Sequence, residues 1–220
     1  MFYYIINLLI SVASRLIAIT GHEFAHGWVS YKQGDPTPKY EGRLTFNPLA
    51  HLDPVGTILM LVTGFGWARP VGVNPMYYRD RKKGMAITAI AGPIANFIMA
   101  FAGILIAVIC SIIGNAMGDE LNLLGGVSRV FVSFAFTNLS LMVFNLIPIP
   151  PLDGSKVLGI FLPNRMYYNV LRYEQYAIIL IMILSLTGVF SSIIGGGVSM
   201  MISLIMKLIN LLLFPISGLL

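Results

Sequence analysis

FYYIINLLISVASRLIAITGHEFAHGWVSY, residues 2–31, is predominantly apolar up to Thr20 and then closes on His22, Glu23 and His26. A helix that spans a bilayer needs roughly 20 predominantly apolar residues, and this run supplies them. The whole chain shares its character. Of 220 residues, 57% are hydrophobic and 10% charged, with mean hydropathy +0.83. A water-soluble domain averages about 25% charged residues, so this chain lacks the polar surface to cover itself in water. Lipid is the solvent that fits, and in lipid the backbone must close its hydrogen bonds within helices or a barrel. The apolar runs are continuous rather than alternating, which selects helices.

Working outward from the first run, further spans are expected over Met85–Gly114, with Gly92 and Pro93 as internal breaks, and over Val127–Ile147. Two more are expected over Tyr176–Phe190 and Val198–Leu213, separated by a turn at Gly195–Gly197. The stretch Gly34–Arg69 is rich in Pro, Gly, Thr and Asn, and its apolar run Thr57–Val62 is too short to span. Segments Lys39–Phe46 and Trp67–Val73 read as short strands bounded by turn residues. The fold expected is therefore an α-helical integral membrane protein. It has about five to six transmembrane helices and a small membrane-associated β element between the first two. Residues 1–220 read as one membrane-embedded domain, with a core over about 1–160 and additional helices over about 176–213.

Met1–Thr20 carries no basic flank and no small-residue cleavage signature, and cutting it would sever the helix that holds His22, so it reads as a retained span. The net charge of +5 comes from basic residues scattered between apolar segments, a pattern of membrane topology rather than of nucleic-acid binding. Lys32, Lys39, Arg43, Arg69, Arg79, Arg81, Lys82, Lys83, Arg165 and Arg172 fall in two regions that five spans place on one side. The positive-inside rule makes that side cytosolic. The single cysteine, Cys110, excludes an intrachain disulfide.

His22-Glu23-Phe24-Ala25-His26 is the pattern H-E-x-x-H. On a helix, positions i and i+4 share a face, so both imidazoles can reach one metal ion, and the intervening glutamate sits where a base is needed. Zinc lowers the pKa of its bound water to roughly 7, and Glu23 can complete the activation. Three ionisable groups at the end of an apolar run are costly unless paired or metal-bound, although a patch facing the headgroups would also accommodate them. A catalytic zinc takes a third protein ligand. Asp153 follows an apolar helix interrupted by Pro148, Pro150 and Pro151, and irregular backbone at membrane depth must line a cavity or be buried in protein. It is the better placed candidate. Asp153 as a helix N-cap, Asp53 in the interfacial stretch, and His51 remain alternatives.

Taken together, His22-Glu23-x-x-His26 and Asn145-x-x-Pro148-x-x-Pro151-Leu152-Asp153-Gly154 resemble the motifs of the site-2 protease family of intramembrane zinc metalloproteases. Gly92-Pro93-Ile94-Ala95-Asn96 resembles that family's intermediate motif. Phe46-Asn47-Pro48 and Gly66–Val71 resemble its membrane-associated strand region. The resemblance covers about residues 10–160. It implies one Zn2+ held by His22, His26 and Asp153, with Glu23 as general base. It also implies that Asn96 and Asn145 position substrate or stabilise the oxyanion, whereas on physical grounds alone both equally suit helix–helix hydrogen bonding. Larger members carry a PDZ or CBS domain, for which this chain has no room.

The function expected is hydrolysis of peptide bonds in or near transmembrane segments of protein substrates, with the site toward the cytosolic side of the cell membrane. A metal transporter or sensor, or a helix-binding scaffold that does not cut, would use the same ligands. Glu23 separates the readings, because a transport site has no need of a non-ligating base between its two histidines.

Overall fold

The computed structural model describes residues 2–63, 68–118, 122–163, 166 and 187–217. It is built from α1 (Phe2–Lys32), the single turn α2 (Thr37–Tyr40), α3 (Pro54–Thr63), α4 (Arg81–Met117), α5 (Leu123–Leu146), α6 (Asp153–Leu158) and α7 (Val189–Ser217). Four of these, α1, α4, α5 and α7, are long and apolar enough to cross a bilayer. The further span expected over Tyr176–Phe190 lies outside the described residues except at its end, where Val189 and Phe190 open α7.

Two helices run through residues that the sequence reading treats as breaks. Asp80 caps α4 by accepting the backbone N–H groups of Lys82 and Lys83, and the helix then continues past Gly92 and Pro93 to end at Gly118 in the left-handed conformation. Proline is tolerated inside a membrane helix when neighbours satisfy the backbone groups it frees. The glycines at 195–197 are also helical. The turn lies earlier, at Gly188 with φ +76°, and Gly197 instead brings α7 against α5, since a Cβ there would lie 2.7 Å from Val143.

Among the described residues there is no sheet, and the expected β element reduces to one isolated antiparallel bridge between Leu52 and Ala68. The reason lies in three dipeptides. Asn47-Pro48, Asp53-Pro54 and Asn74-Pro75 look like turn residues between strands, yet each is a cap followed by proline at the first helical position. Asn47 Oδ1 accepts from Leu49 N–H, Asp53 Oδ1 from Gly56 N–H and Asn74 Oδ1 from Met76 N–H. The expected strand Lys39–Phe46 likewise starts inside the helical turn α2. The ten described residues of α3 reach about 15 Å.

Small residues let α4 and α5 approach. Ala100, Gly103 and Ala107 form a buried stripe on α4, and a Cβ on Gly103 would stand 3.2 Å from the Phe131 carbonyl of α5. Ile104, Leu139, Val198, Ile205 and Ile209 complete this apolar core between α4, α5 and α7. At the other end α1 packs on α4 and α5, and the short α6 lies against the same two helices. That second meeting point contains the site.

Candidate metal centre

α1 presents His22 and His26 on one face, as their spacing requires, and both rings are buried. The third group arrives from 131 residues later in the chain. α5 ends at Leu146, the chain turns through the prolines, and α6 begins with Asp153 as its first residue. Gly154 makes the turn possible, because a Cβ there would lie 2.2 Å from the Leu146 carbonyl oxygen. Asp153 is buried, and Oδ2 stands 3.2 Å from His22 Nε2 and 3.0 Å from His26 Nε2. The two Nε2 atoms are 3.0 Å apart. Asp153 is not the N-cap of α6, since Leu152 occupies that place, and its Oδ1 turns to the Lys156 ammonium 3.5 Å away.

The triangle fits a zinc ion. Tetrahedral zinc with bonds of 2.0–2.1 Å places its ligand atoms about 3.3–3.4 Å apart, close to the three distances here, and two imidazoles with one carboxylate form a zinc donor set. Gly92 of α4 closes the cradle. A Cβ on it would lie 2.5 Å from His26 Nε2 and 2.6 Å from His22 Nε2, so any larger residue would intrude among the ligand atoms.

Both histidines are held from behind. His26 Nδ1–H donates to the Thr88 carbonyl of α4 at 2.7 Å, and His22 Nδ1–H donates to Asn96 Oδ1 at 2.5 Å. Hydrogen bonds of this kind fix the ring orientation and the tautomer that leaves Nε2 bare. Both amide hydrogens of Asn96 are engaged, one by the Ala18 carbonyl and one by Asn138 Oδ1. Thr88 is locked in turn. Gln33 donates to Thr88 Oγ1, which is bonded to the Tyr78 phenol; Tyr78 meets Ser30, and Ser30 donates to Asp35. Burial pushes the Tyr78 phenol above its ordinary pKa, so it remains an O–H within this chain. Burial by itself would raise the Asp35 carboxyl, but the Asn74 N–H and the donors of Thr37 and Ser30 outweigh it and hold it below the usual value.

The remaining candidates fall in distinct places. Glu23 is half-buried, and its Oε2 accepts the Val71 N–H at 2.9 Å, so the irregular segment after Ala68 restrains the carboxylate. Asn145 is half-buried and donates to the Leu141 carbonyl of its own helix. Asp53 caps α3, and His51 is fully buried with Nε2 on the Thr45 carbonyl; neither joins the metal group. Val71, Thr88, Lys156 and Asn138 escaped the sequence reading. Of these only Asn138 left a signal, as a second amide within the apolar run that carries Asn145.

The chain matches the sequence profile of Peptidase family M50 over residues 10–190. It belongs to that family. A Bacillus subtilis (strain 168) protein named "Putative zinc metalloprotease YwhC" is 36% identical over 215 residues, covering 97% of each chain. The Mycolicibacterium smegmatis protein named "Putative zinc metalloprotease Rip2" is 25% identical over 190 residues, 84% of this chain and 69% of that one. The Mycobacterium tuberculosis (strain H37Rv) protein of the same name is 25% identical over 181 residues, 80% of this chain and 66% of that one. No solved structure matches the chain. This M50 chain is thus a membrane metalloprotease with zinc as its metal, and among its described residues the buried His22–His26–Asp153 group could hold a metal ion.

Proposed function

We propose that this M50 chain hydrolyses peptide bonds in or beside the transmembrane segments of membrane-protein substrates, with Glu23 as general base. The observation that carries the reading is the convergence of His22 and His26 with Asp153 inside a bundle of membrane-length helices, with Glu23 next to His22 in the chain and outside that group. Zinc bound by these three groups supplies a Lewis acid for the scissile carbonyl and brings the pKa of water to roughly 7. Glu23 takes a proton from the attacking water and delivers it to the leaving amine. Its hydrogen bond from Val71 restricts where the carboxylate can point, which keeps the proton acceptor in register with His22. Asn96 is assigned to holding His22, because neither of its amide hydrogens is free to meet an oxyanion. Among the described residues Asn145 donates one amide hydrogen, to the Leu141 carbonyl, and its other amide hydrogen makes it the candidate for positioning substrate.

A helical substrate hides its carbonyls in hydrogen bonds, so the segment to be cut must unwind before attack. Water must also reach the site. Lys32, Lys39, Arg69, Arg79, Arg81, Lys82 and Lys83 flank the end of α1 that carries His26, and by the positive-inside rule this end faces the cytosol of the cell membrane. The test uses protein purified in detergent, its zinc content, and cleavage of transmembrane substrates by wild type and Glu23→Ala. Loss of cleavage with zinc retained is the expected result. Undiminished cleavage by Glu23→Ala would overturn the mechanism.

A further inference from the structure

We propose that Asn138 is a positioning residue for the metal centre, deciding through Asn96 which nitrogen of His22 is left bare for zinc. The inference rests on the zinc reading of His22, His26 and Asp153. Asn138 sits on α5, fully buried and remote in sequence from both neighbours it orders.

Donors and acceptors can be counted along this chain of bonds. Two backbone carbonyls anchor the chain, and a carbonyl can only accept. Asn138 Nδ2 donates to the Phe134 carbonyl at 2.9 Å, so the amide group of Asn138 has a forced orientation with Oδ1 directed away from it. That oxygen accepts from Asn96 Nδ2 at 2.9 Å. The same Asn96 nitrogen donates to the Ala18 carbonyl of α1 at 3.2 Å, a longer bond that favours the same orientation. Asn96 Oδ1 is then left facing His22 Nδ1 at 2.5 Å and can only accept, so Nδ1 carries the proton and the Nε2 lone pair is free toward Asp153.

Remove the Asn138 oxygen and this logic loses one of its two anchors. Asn96 would keep a single carbonyl partner and could rotate its NH2 toward His22, which demands the opposite tautomer. Such a tautomer places its proton on Nε2, where the metal must bind. Outer partners of metal-binding histidines commonly matter by about 10–100-fold in metal affinity. His26 provides a control within the same molecule, because its Nδ1 is held by the Thr88 carbonyl and owes nothing to Asn138.

The experiment takes the full chain in detergent, labelled with 15N at its three histidines, and compares wild type, Asn138→Leu and Asn138→Asp. His22→Ala and His26→Ala assign the signals. Zinc affinity is read by chelator competition, and tautomers by the ring 15N shifts with and without zinc. Asn138→Leu is expected to lower zinc affinity about 10–100-fold and to turn the His22 signal from one Nδ1–H tautomer into a mixture, with His26 unchanged. Asn138→Asp, neutral in this buried setting, can still donate to Phe134 and accept from Asn96, and restores both readouts to within a few-fold of wild type. A single Nδ1–H tautomer at His22 in Asn138→Leu overturns the proposal. Equal scatter at His22 and His26 also overturns it, because the substitution would then be loosening the bundle at large. A wild type that binds no zinc counts against the zinc reading instead, and the His22 spectrum still decides whether Asn138 orders the ring.

Discussion

Around Ile104, Leu139 and Ile205, helices α4, α5 and α7 meet through side chains that offer only shape; around Asn96 and Asn138, α4 and α5 meet through amides that fix who donates and who accepts. The two regions share helices and differ in what holds them. In lipid, apolar side chains gain little by leaving their solvent, so the first region depends on close packing of small residues. The second depends on direction, and a buried polar network tolerates no missing partner. Packing brings the helices together. The hydrogen bonds set their register to within the tolerance of a metal site.

The sharpest way to break the polar region is at Asp153. Asp153→Ala is expected to abolish both stoichiometric zinc and cleavage, whereas Asp53→Ala keeps zinc and loses about 1 kcal/mol with the α3 cap. Zinc content by atomic absorption checks the pair, and the reverse result would move the third ligand to Asp53. Next is a substitution tried in both regions. Gly92→Ala sets a methyl among the ligand atoms and is expected to lower zinc affinity at least tenfold, while Gly196→Ala meets nothing within 4 Å and is expected to be neutral or to stabilise by up to about 1 kcal/mol. Chelator competition and thermal melts separate these outcomes.

Leu139→Ala probes the apolar region. It should cost about 2–5 kcal/mol of stability in detergent while zinc affinity in the folded fraction stays within twofold. A smaller effect than that of Leu139 belongs to Asp35. Its folded pKa lies below the unfolded value, so its contribution is present above the unfolded pKa of about 3.8 and is lost as pH falls through the folded pKa. Asp35→Asn, which turns an acceptor into a donor against the Asn74 N–H, is expected to melt earlier than wild type at pH 6, by about 1–3 kcal/mol, with the gap closing below pH 4. A gap independent of pH would show that Asp35 is not ionised in the folded protein.

The parts of this molecule legible in the sequence are those with local signatures. His22 and His26 announce themselves by helical spacing, and Asp153 by the proline-broken helix that delivers it. The short helical turns of residues 48–77 were hidden because Asn-Pro and Asp-Pro read equally as strand-ending turns or as caps, and only the backbone hydrogen bonds decide. Gly92 reads as a helix break, yet its function is to have no side chain where two imidazoles approach from another helix. Asn138 shows in the sequence only as a second amide in an apolar run, and nothing there points to its partner 42 residues away. Distance along the chain is what conceals these residues.

That distance also has a consequence during synthesis. His22 and His26 leave the ribosome 131 and 127 residues ahead of Asp153, an interval of roughly 6–26 s at about 5–20 residues per second. Throughout it the nascent chain holds His22, Glu23 and His26 without the Asp153 carboxylate that meets the two histidines in the folded protein. On the roles proposed for these residues, the site is complete only once α6 has been made and lies against α4 and α5.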